Sequence, residues 1–164
     1  MAILPILQHP DPRLAIPGRH VEVVDDAIRK IVDDMFETHY AQKNCAALAA
    51  TQLGVDLRIT VIDFSEHKNQ PLCLINPEIL SRSNETTFEP EGCMSVRNIH
   101  EKVRRAEKVK VSALDRDGKK IEFDADGFMA KCIQHELDHL DGILFIKRLP
   151  KLKQKMINLK FRHF

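Results

Sequence analysis

The spacing of apolar residues predicts a helix early in the chain and a β-hairpin around residue 115. After Asp25, a suitable N-cap residue, apolar side chains recur at the spacing of one buried helical face; the members of that face are Ile28, Ile31, Val32, Met35, Phe36 and His39. Later, apolar and polar residues alternate on both sides of the sequence Asp-Arg-Asp-Gly at 115–118. Because such a sequence favours a turn, the two alternating segments are expected to pair as antiparallel strands.

The remaining apolar segments complete an α+β pattern. Short apolar runs at 57–64 and 72–75 predict strands, and the second is expected to end at Asn76-Pro77. A second helix is expected to begin near 124–126 and to run through Leu140. Strands and helices therefore mix without the regular β-α-β alternation of a parallel sheet.

A basic amphipathic segment closes the chain at about residues 150–164. Its apolar residues keep helical spacing, so one helical face is expected to pack on the protein while the other is cationic; the residues of that face are Leu149, Leu152, Met156 and Leu159. The cationic face is either an ordinary solvated surface or a site for a polyanion. No repeat or long linker interrupts the sequence, so residues 1–164 are expected to form a single domain that ends in this helix.

Composition excludes several classes of protein. With 25 Lys and Arg against 24 Asp and Glu, the formal charge is +1. This balance argues against a protein whose whole surface binds nucleic acid, and we expect no specific DNA binding. No apolar stretch approaches the length of a membrane span, and the first residues lack the features of a secretory signal, so we expect a cytoplasmic protein without a membrane partner. The four cysteines, at 45, 73, 93 and 132, form no C-x-x-C pair and do not suggest a disulfide framework.

The candidate chemistry begins with the sequence H-E-L-D-H at 135–139. On a helix, His135 and His139 differ by only about 40° around the axis and by one turn along it, so both imidazoles can reach one metal ion. Glu136 lies at the flank of that face, where it can act on water as a general base. Asp138 lies on the opposite flank, and helical angle alone does not choose between the two acids; we interpret it as a hydrogen-bond partner of a ligand or a surface charge. The alternative is an exposed polar stripe without a metal.

Two histidines leave a metal ion short of a third protein ligand. Cys132 shares the helical face, but its side chain is too short to reach an ion level with the midpoint of the histidines, and it is expected to be core. Cys93, in the sequence E-G-C-M-S, is the better candidate. One thiolate and two imidazoles leave a fourth position open for water, as in catalytic sites, and this ligand set suits Zn²⁺ or Fe²⁺.

Three ordered motifs make the chain resemble the peptide deformylases, whose patterns are G-x-G-x-A-A-x-Q, E-G-C-x-S and H-E-x-D-H. Here they read C-A-A-L-A-A-T-Q at 45–52, E-G-C-M-S at 91–95 and H-E-L-D-H at 135–139. The resemblance implies a deformylase-like α+β fold with small antiparallel or mixed sheets around a central metal-binding helix. It also implies a metal-dependent hydrolase that removes the N-formyl group from formyl-methionyl nascent peptides by attack of metal-bound hydroxide.

The resemblance also implies roles for individual residues. Cys93, His135 and His139 would hold the metal, usually Fe²⁺, with Zn²⁺, Ni²⁺ or Co²⁺ as possible substitutes. Glu136 would act as general base and acid, and Gln52 with the backbone N–H of Met94 would stabilise the developing oxyanion. The implied substrate-binding residues are Ala46, Ala47 and Gly92. A deformylase acting on nascent chains could also bind the ribosome through its basic terminal helix.

The chain departs from the family pattern at two places. Cys45 and Ala47 replace the two glycines of the first motif, and Arg97 and His100 follow the second motif where the family commonly has Pro two residues after the Ser. The methyl group of Ala47 is expected to narrow the site and slow hydrolysis, unless the chain accepts Ala there at negative φ. The alternatives are an enzyme with altered substrate preference or weak activity, or a non-catalytic, ribosome-associated metal-binding module. Retention of Glu136 and Gln52 argues against the last.

Overall fold

The computed structural model describes residues 2–161 and contains three helices and seven strands within that range. The helices are α1 (Asp26–Ala41), α2 (Gly127–Leu140) and α3 (Lys151–Lys160), and the strands are β1 (Ala47–Ala49), β2 (Ile59–Ile62), β3 (Leu72–Arg82), β4 (Thr86–Cys93), β5 (Val96–Ala106), β6 (Lys108–Leu114) and β7 (Lys120–Asp126). No helix between residues 2 and 161 combines the length and the apolar character that a membrane crossing requires. The predicted continuation of the terminal helix to 164 lies partly outside the described residues.

Five strands form one antiparallel sheet in the order β1-β2-β3-β6-β7, and β4 pairs with β5 in a separate antiparallel hairpin. The side chains of β3 alternate between the two faces of the sheet. Cys73 and Ile75 join the apolar cluster that includes α1, whereas Leu74 joins the cluster that includes α2. The two helices therefore cover opposite faces of the sheet, which is the α+β arrangement predicted from the sequence.

Local signals explain where several elements begin and turn. The Asp25 side chain accepts a hydrogen bond from the Ile28 N–H at 3.0 Å and so caps α1, as predicted. Between β6 and β7, the Asp115 carboxylate accepts bonds from two backbone N–H groups, and Gly118 adopts φ 82°, a conformation that glycine tolerates without strain. The predicted hairpin is therefore confirmed, and α2 follows directly after it.

The prediction that the third strand ends at Asn76-Pro77 is wrong, because β3 continues to Arg82. The register against β6 shifts between Ile75 and Glu78, and Asn76 adopts φ 52° within that irregularity. The Asn76 side chain accepts a bond from the Val21 N–H and donates one to the Val21 carbonyl. A bulge thus accommodates the proline, and contacts to the amino-terminal arm stabilise the irregular backbone.

The prediction of which face of the terminal helix packs on the protein is also wrong. Leu149, which precedes α3, is buried, but Leu152, Met156 and Leu159 are 70%, 58% and 49% exposed, respectively. The buried residue within α3 is Ile157, at about 140° from Leu152 around the helix axis. The structure therefore packs a different side of α3 against the protein, and the predicted face is in solvent.

The β4–β5 hairpin brings a second segment of chain to α2. Its strand β5 contributes Val96, Ile99 and Val103 to an apolar cluster that also contains Phe145 and Ile146. Cys93, at the end of β4, packs against the same cluster, and β5 also contacts α2. Residues far apart in sequence therefore meet at one place beside this helix.

Candidate metal centre and active site

The structure brings Cys93, His135 and His139 together. One ligand atom from each of these residues lies within 4.8 Å of the other two. The Cys93 Sγ is 3.1 Å from the Nε2 atom of His139, and both histidines are buried. Among residues 2–161, these three form the group of histidine, cysteine and acidic side chains whose spacing could hold a metal ion. Cys132 is buried outside this group, as the sequence predicts.

Glu91 sets the orientation of His135. The Nδ1 atom of His135 lies 2.8 Å from the Glu91 carboxylate. Because an ionised carboxylate only accepts hydrogen bonds, Nδ1 donates, and the opposite ring nitrogen, Nε2, keeps its lone pair for a ligand. Burial raises the pKa of Glu91, but hydrogen bonds from Arg105 and His135 outweigh it and lower the value to about 2. Glu91 therefore stays ionised and holds the imidazole in one tautomer.

Arg105 joins Glu91 to the far side of α2. Its guanidinium donates two hydrogen bonds to Glu91, at 2.8 and 3.0 Å, and one to Asp138, at 2.7 Å. Asp138 also accepts two bonds from Arg148. No local sequence signal indicates that Arg105 joins Glu91 to Asp138. The two arginines and two acids form one charge network, which is buried except for the exposed Arg148, and this explains why Asp138 is neither a ligand nor a surface charge.

Glu136 has the environment of a proton carrier. It is 3% exposed, and its Oε2 atom is buried without a hydrogen-bond partner among the described residues. Burial raises the pKa of Glu136 to about 7. A carboxyl group with a pKa near neutral pH can both accept and return a proton. An unpartnered buried oxygen also marks a place where a ligand or water is expected.

Gln52 is held with its amide nitrogen toward Cys93. Its Oε1 atom accepts a bond from the Ala49 N–H, and its Nε2 atom lies 3.0 Å from the Ser95 Oγ and 3.5 Å from the Cys93 Sγ. Because Oε1 is already engaged by a donor, the assignment of the amide is fixed by its partners. Ser95, the last residue of the second motif, was not singled out from the sequence as a partner of Gln52. Met94 lies beside Cys93, partly buried in the wall of the adjoining cavity.

A cavity of about 560 Å³ opens beside these residues. Its walls include all three predicted substrate-binding residues, Ala46, Ala47 and Gly92, together with Gln52 and Glu136. Ala47 lies on β1, paired with Ile62, and neither Cys45 nor Ala47 is among the described residues with positive φ. The backbone therefore accepts alanine at this position without a left-handed conformation, which is the condition given above for an unaltered site, and steric crowding by the methyl group stays a prediction.

Cys45 is tied into the protein rather than poised for reaction. The Nε2 atom of His39 lies 2.9 Å from the Asp63 carbonyl, which can only accept, so Nδ1 is the acceptor for the Cys45 thiol at 3.2 Å. Burial raises the pKa of Cys45 to about 12. The thiol is consequently protonated at neutral pH and hydrogen-bonded, which argues against a second thiolate beside the metal ligands.

The residues present fit a divalent transition-metal ion. Burial lowers the pKa of His139 well below its usual value, so His139 is neutral and can offer a lone pair. One sulfur and two imidazole nitrogens are donors suited to Fe²⁺ or Zn²⁺, and three protein ligands leave a coordination position open. Glu136, which carries an unpartnered carboxyl oxygen, lines the same cavity as Cys93 and His135. This combination defines the site of a metal-dependent hydrolase.

Comparison with known proteins identifies the family. A family model described as "Polypeptide deformylase" matches residues 3–155. The chain is 63% identical over 156 residues to Peptide deformylase 1 of Coxiella burnetii, covering 93% of this chain and 91% of that protein. Two solved structures are similar over 99% of the chain: a peptide deformylase from Legionella pneumophila (42% identity, 96% of that chain, TM-score 0.91) and one from Ehrlichia chaffeensis in complex with actinonin (40%, 98%, TM-score 0.93). The chain belongs to the polypeptide deformylase family.

Proposed function

We propose that Cys93, His135 and His139 hold the metal ion with which this peptide deformylase removes the formyl group from N-formyl-methionyl peptides. The observation that carries the proposal is the convergence of these three donors within 4.8 Å of one another, with a buried, unpartnered carboxyl oxygen of Glu136 beside them. When bound there, the ion supplies Lewis-acid chemistry, because it lowers the pKa of a water molecule and polarises the formyl carbonyl.

Glu136 moves the proton in this proposal. Its carboxylate accepts a proton from the attacking water, and the resulting carboxylic acid returns that proton to the amine nitrogen as the bond from the formyl carbon to nitrogen breaks. The products are formate and a peptide with a free amino terminus. The pKa of Glu136, raised by burial to about 7, supports both halves of this exchange near neutral pH.

Gln52 and the backbone N–H of Met94 stabilise the oxygen on which negative charge develops. Support for Gln52 comes from its anchoring, since Ala49 and Ser95 hold its amide at both ends. Ala46, Ala47 and Gly92 line the same cavity, where the backbone of an extended peptide would lie. We propose that these three residues contact the substrate.

The test is formate release by protein purified without oxygen, with the metal content measured in the same sample. We expect formate from formyl-Met-Ala-Ser, and we expect Cys93→Ala to lose both the bound metal and the activity. Cys132→Ala is the matched control because Cys132 is buried beside the same cavity but lies outside the ligand group. Full activity and metal content in Cys93→Ala would refute the ligand assignment.

We further propose Fe²⁺ as the ion, with Zn²⁺, Ni²⁺ or Co²⁺ as substitutes, and the cytoplasm as the location. The soft thiolate and the imidazoles suit all four ions. That residues 1–164 form one catalytic domain with a basic terminal helix stays a prediction. Metal analysis of anaerobically purified protein identifies the ion, and a different bound metal would overturn the choice of iron.

We also propose that the exposed side of α3 contacts the ribosome. The helix carries Lys151, Lys153, Lys155 and Lys160, and among these Lys153 is paired, with Glu101 at 2.9 Å. Phosphate contacts of this kind weaken steeply as salt is added. We expect the protein to sediment with ribosomes in a salt-sensitive way and to lose this association when 150–164 are removed. Association that salt or the deletion leaves unchanged would contradict it.

A further inference from the structure

The mouth of the active-site cavity carries positive charge. Lys43, Arg97 and Lys131 line it. Lys43 and Arg97 are exposed, and neither has an ion-pair partner among the described residues. These two cations can therefore act on a charged ligand in the cavity. We call Lys43, Arg97 and Lys131 the cationic rim.

The acids of the cavity do not neutralise this rim. The acidic residues in its lining are Glu91 and Glu136, which are 5% and 3% exposed. Glu91 is compensated by two hydrogen bonds from the Arg105 guanidinium, and Glu136 stands next to the metal ligands. A peptide that enters the cavity thus meets accessible charge of one sign at its mouth, and such a field favours ligands of the opposite sign.

A bulge in β5 carries Arg97, one residue of the cationic rim. Cys93 pairs with Val96 and Glu91 pairs with Glu101, so the single residue Gly92 on β4 faces the four residues 97–100 on β5. Asn98 adopts φ 65° within this bulge, and Ile99 is buried, whereas Arg97 and His100 are exposed and line the cavity. Bulges beside active sites redirect side chains in this way.

The contact between His100 and Gly92 keeps the bulge close to the metal ligands. A Cβ atom added at Gly92 would lie 2.6 Å from the His100 Cδ2, so the absence of a side chain lets the imidazole lie directly over the strand. The bulge that carries Arg97 is thereby packed against the residue before Cys93. Charge on this bulge consequently acts within the same cavity as the metal ligands.

Lys131, which lines the cavity from α2, is held in position by two contacts. It extends from α2, donates a hydrogen bond to the Pro90 carbonyl at 3.1 Å, and places its Nζ 4.9 Å from the centre of the Phe128 ring. Neither partner cancels its charge. Lys131 from α2, Arg97 from the β5 bulge and Lys43 from the segment after α1 therefore bring positive charge to the cavity from three parts of the chain.

We propose that the cationic rim makes this enzyme prefer formyl-methionyl peptides with Asp or Glu in the residues after methionine. The inference rests on the proposed function, because it assumes that the peptide chain leaves the metal site through this cavity. The recognition is electrostatic, so the preference is expected mainly in KM and is expected to shrink as salt screens the charges.

The experiment compares kcat/KM for three formyl peptides: formyl-Met-Asp-Asp-Ala, formyl-Met-Ala-Ala-Ala and formyl-Met-Lys-Lys-Ala. At low ionic strength we expect the acidic peptide to exceed the basic one by about tenfold, which corresponds to ~1.4 kcal/mol. Arg97→Glu combined with Lys43→Glu is expected to invert this ratio. The control, Lys119→Glu with Lys120→Glu, makes the same change in net charge at exposed positions outside the cavity and should keep the wild-type ratio.

The outcomes separate this inference from the proposed function. Formate from all three peptides at equal rates would overturn the acidic preference and leave deformylation intact, whereas no formate from any peptide would overturn the proposed function. A preference that persists unchanged at high salt, or that the control pair also inverts, would contradict an origin in the rim. The salt series on the wild-type protein tests the electrostatic origin of the preference even if the doubly substituted variant does not fold.

Discussion

The two sides of α2 differ in whether their buried polar side chains have hydrogen-bond partners. Toward the β4–β5 hairpin, Gln134 exchanges hydrogen bonds with both backbone groups of Ala106, and Asp138 is bound by Arg105 and Arg148. Toward the cavity, Glu136 keeps a buried carboxyl oxygen without a partner among the described residues. Unpartnered buried polar atoms are costly, so they are informative where they occur. The paired side supports the ligands, and the unpaired side is where the ion and substrate are expected.

The largest effect is expected from removing the charge of Glu136 on the unpaired side. Glu136→Gln keeps the shape of the side chain but cannot accept the proton, so kcat should fall by about 10²–10⁴-fold. Formate release measures this loss, and metal analysis checks that the ion is retained. A variant that loses less than tenfold, with its metal in place, would remove Glu136 from the role of proton carrier.

On the paired side, Arg105→Leu is expected to reduce stability. The substitution leaves the Glu91 and Asp138 carboxylates buried without their shared partner, and breaking such a buried pair costs about 3–5 kcal/mol. The free energy of unfolding from denaturant titration measures the loss. Arg104→Leu is the matched control, because the neighbouring Arg104 is exposed and its side chain, among the described residues, bonds to the Thr86 hydroxyl at 3.0 Å, with its guanidinium over the Phe88 ring. Equal effects of the two substitutions would show that the network does not support the site.

The smallest effect concerns the wall of the cavity at Ala47. If the methyl group narrows the site, as the sequence comparison with the family glycine predicts, Ala47→Gly should raise kcat/KM for formyl-Met-Ala-Ser by up to about tenfold, the scale of one methyl group in a binding pocket. Because Ala47 is not among the described residues with positive φ, a gain would come from space and not from relieved backbone strain. An unchanged rate in Ala47→Gly would end the crowding hypothesis.

Local geometry explains which parts of the site the sequence could predict. His135, Glu136 and His139 lie on one helix, and the periodicity of a helix fixes their relative positions without knowledge of the fold. The third metal ligand required a choice between Cys93 and Cys132. Cys132 could be excluded because its side chain is too short to reach the ion along the helix axis. Asp138 was left open because its partners Arg105 and Arg148 come from other elements, and only the packing of α2 reveals them.

The predictions that failed depended on tertiary contacts. Asn76-Pro77 reads as a strand end, yet the arm at Val21 bonds to the Asn76 side chain and β3 continues through a bulge. In α3, several apolar residues share helical spacing, but the protein packs against Ile157 on another side of the helix. The bulge at 97–100 likewise follows from the pairing of β4 with β5, which the sequence does not encode as a local signal.

X-ray absorption at the metal edge of the loaded protein tests the central claim most directly, because it reads the ligands without relying on activity. The account predicts one sulfur and two imidazole nitrogens, from Cys93, His135 and His139, with the remaining position filled by a non-protein oxygen. Cys93→Ala should remove the sulfur signal, and Cys132→Ala should leave it. A spectrum without sulfur, or one with four protein ligands, would contradict an open metal centre on these residues.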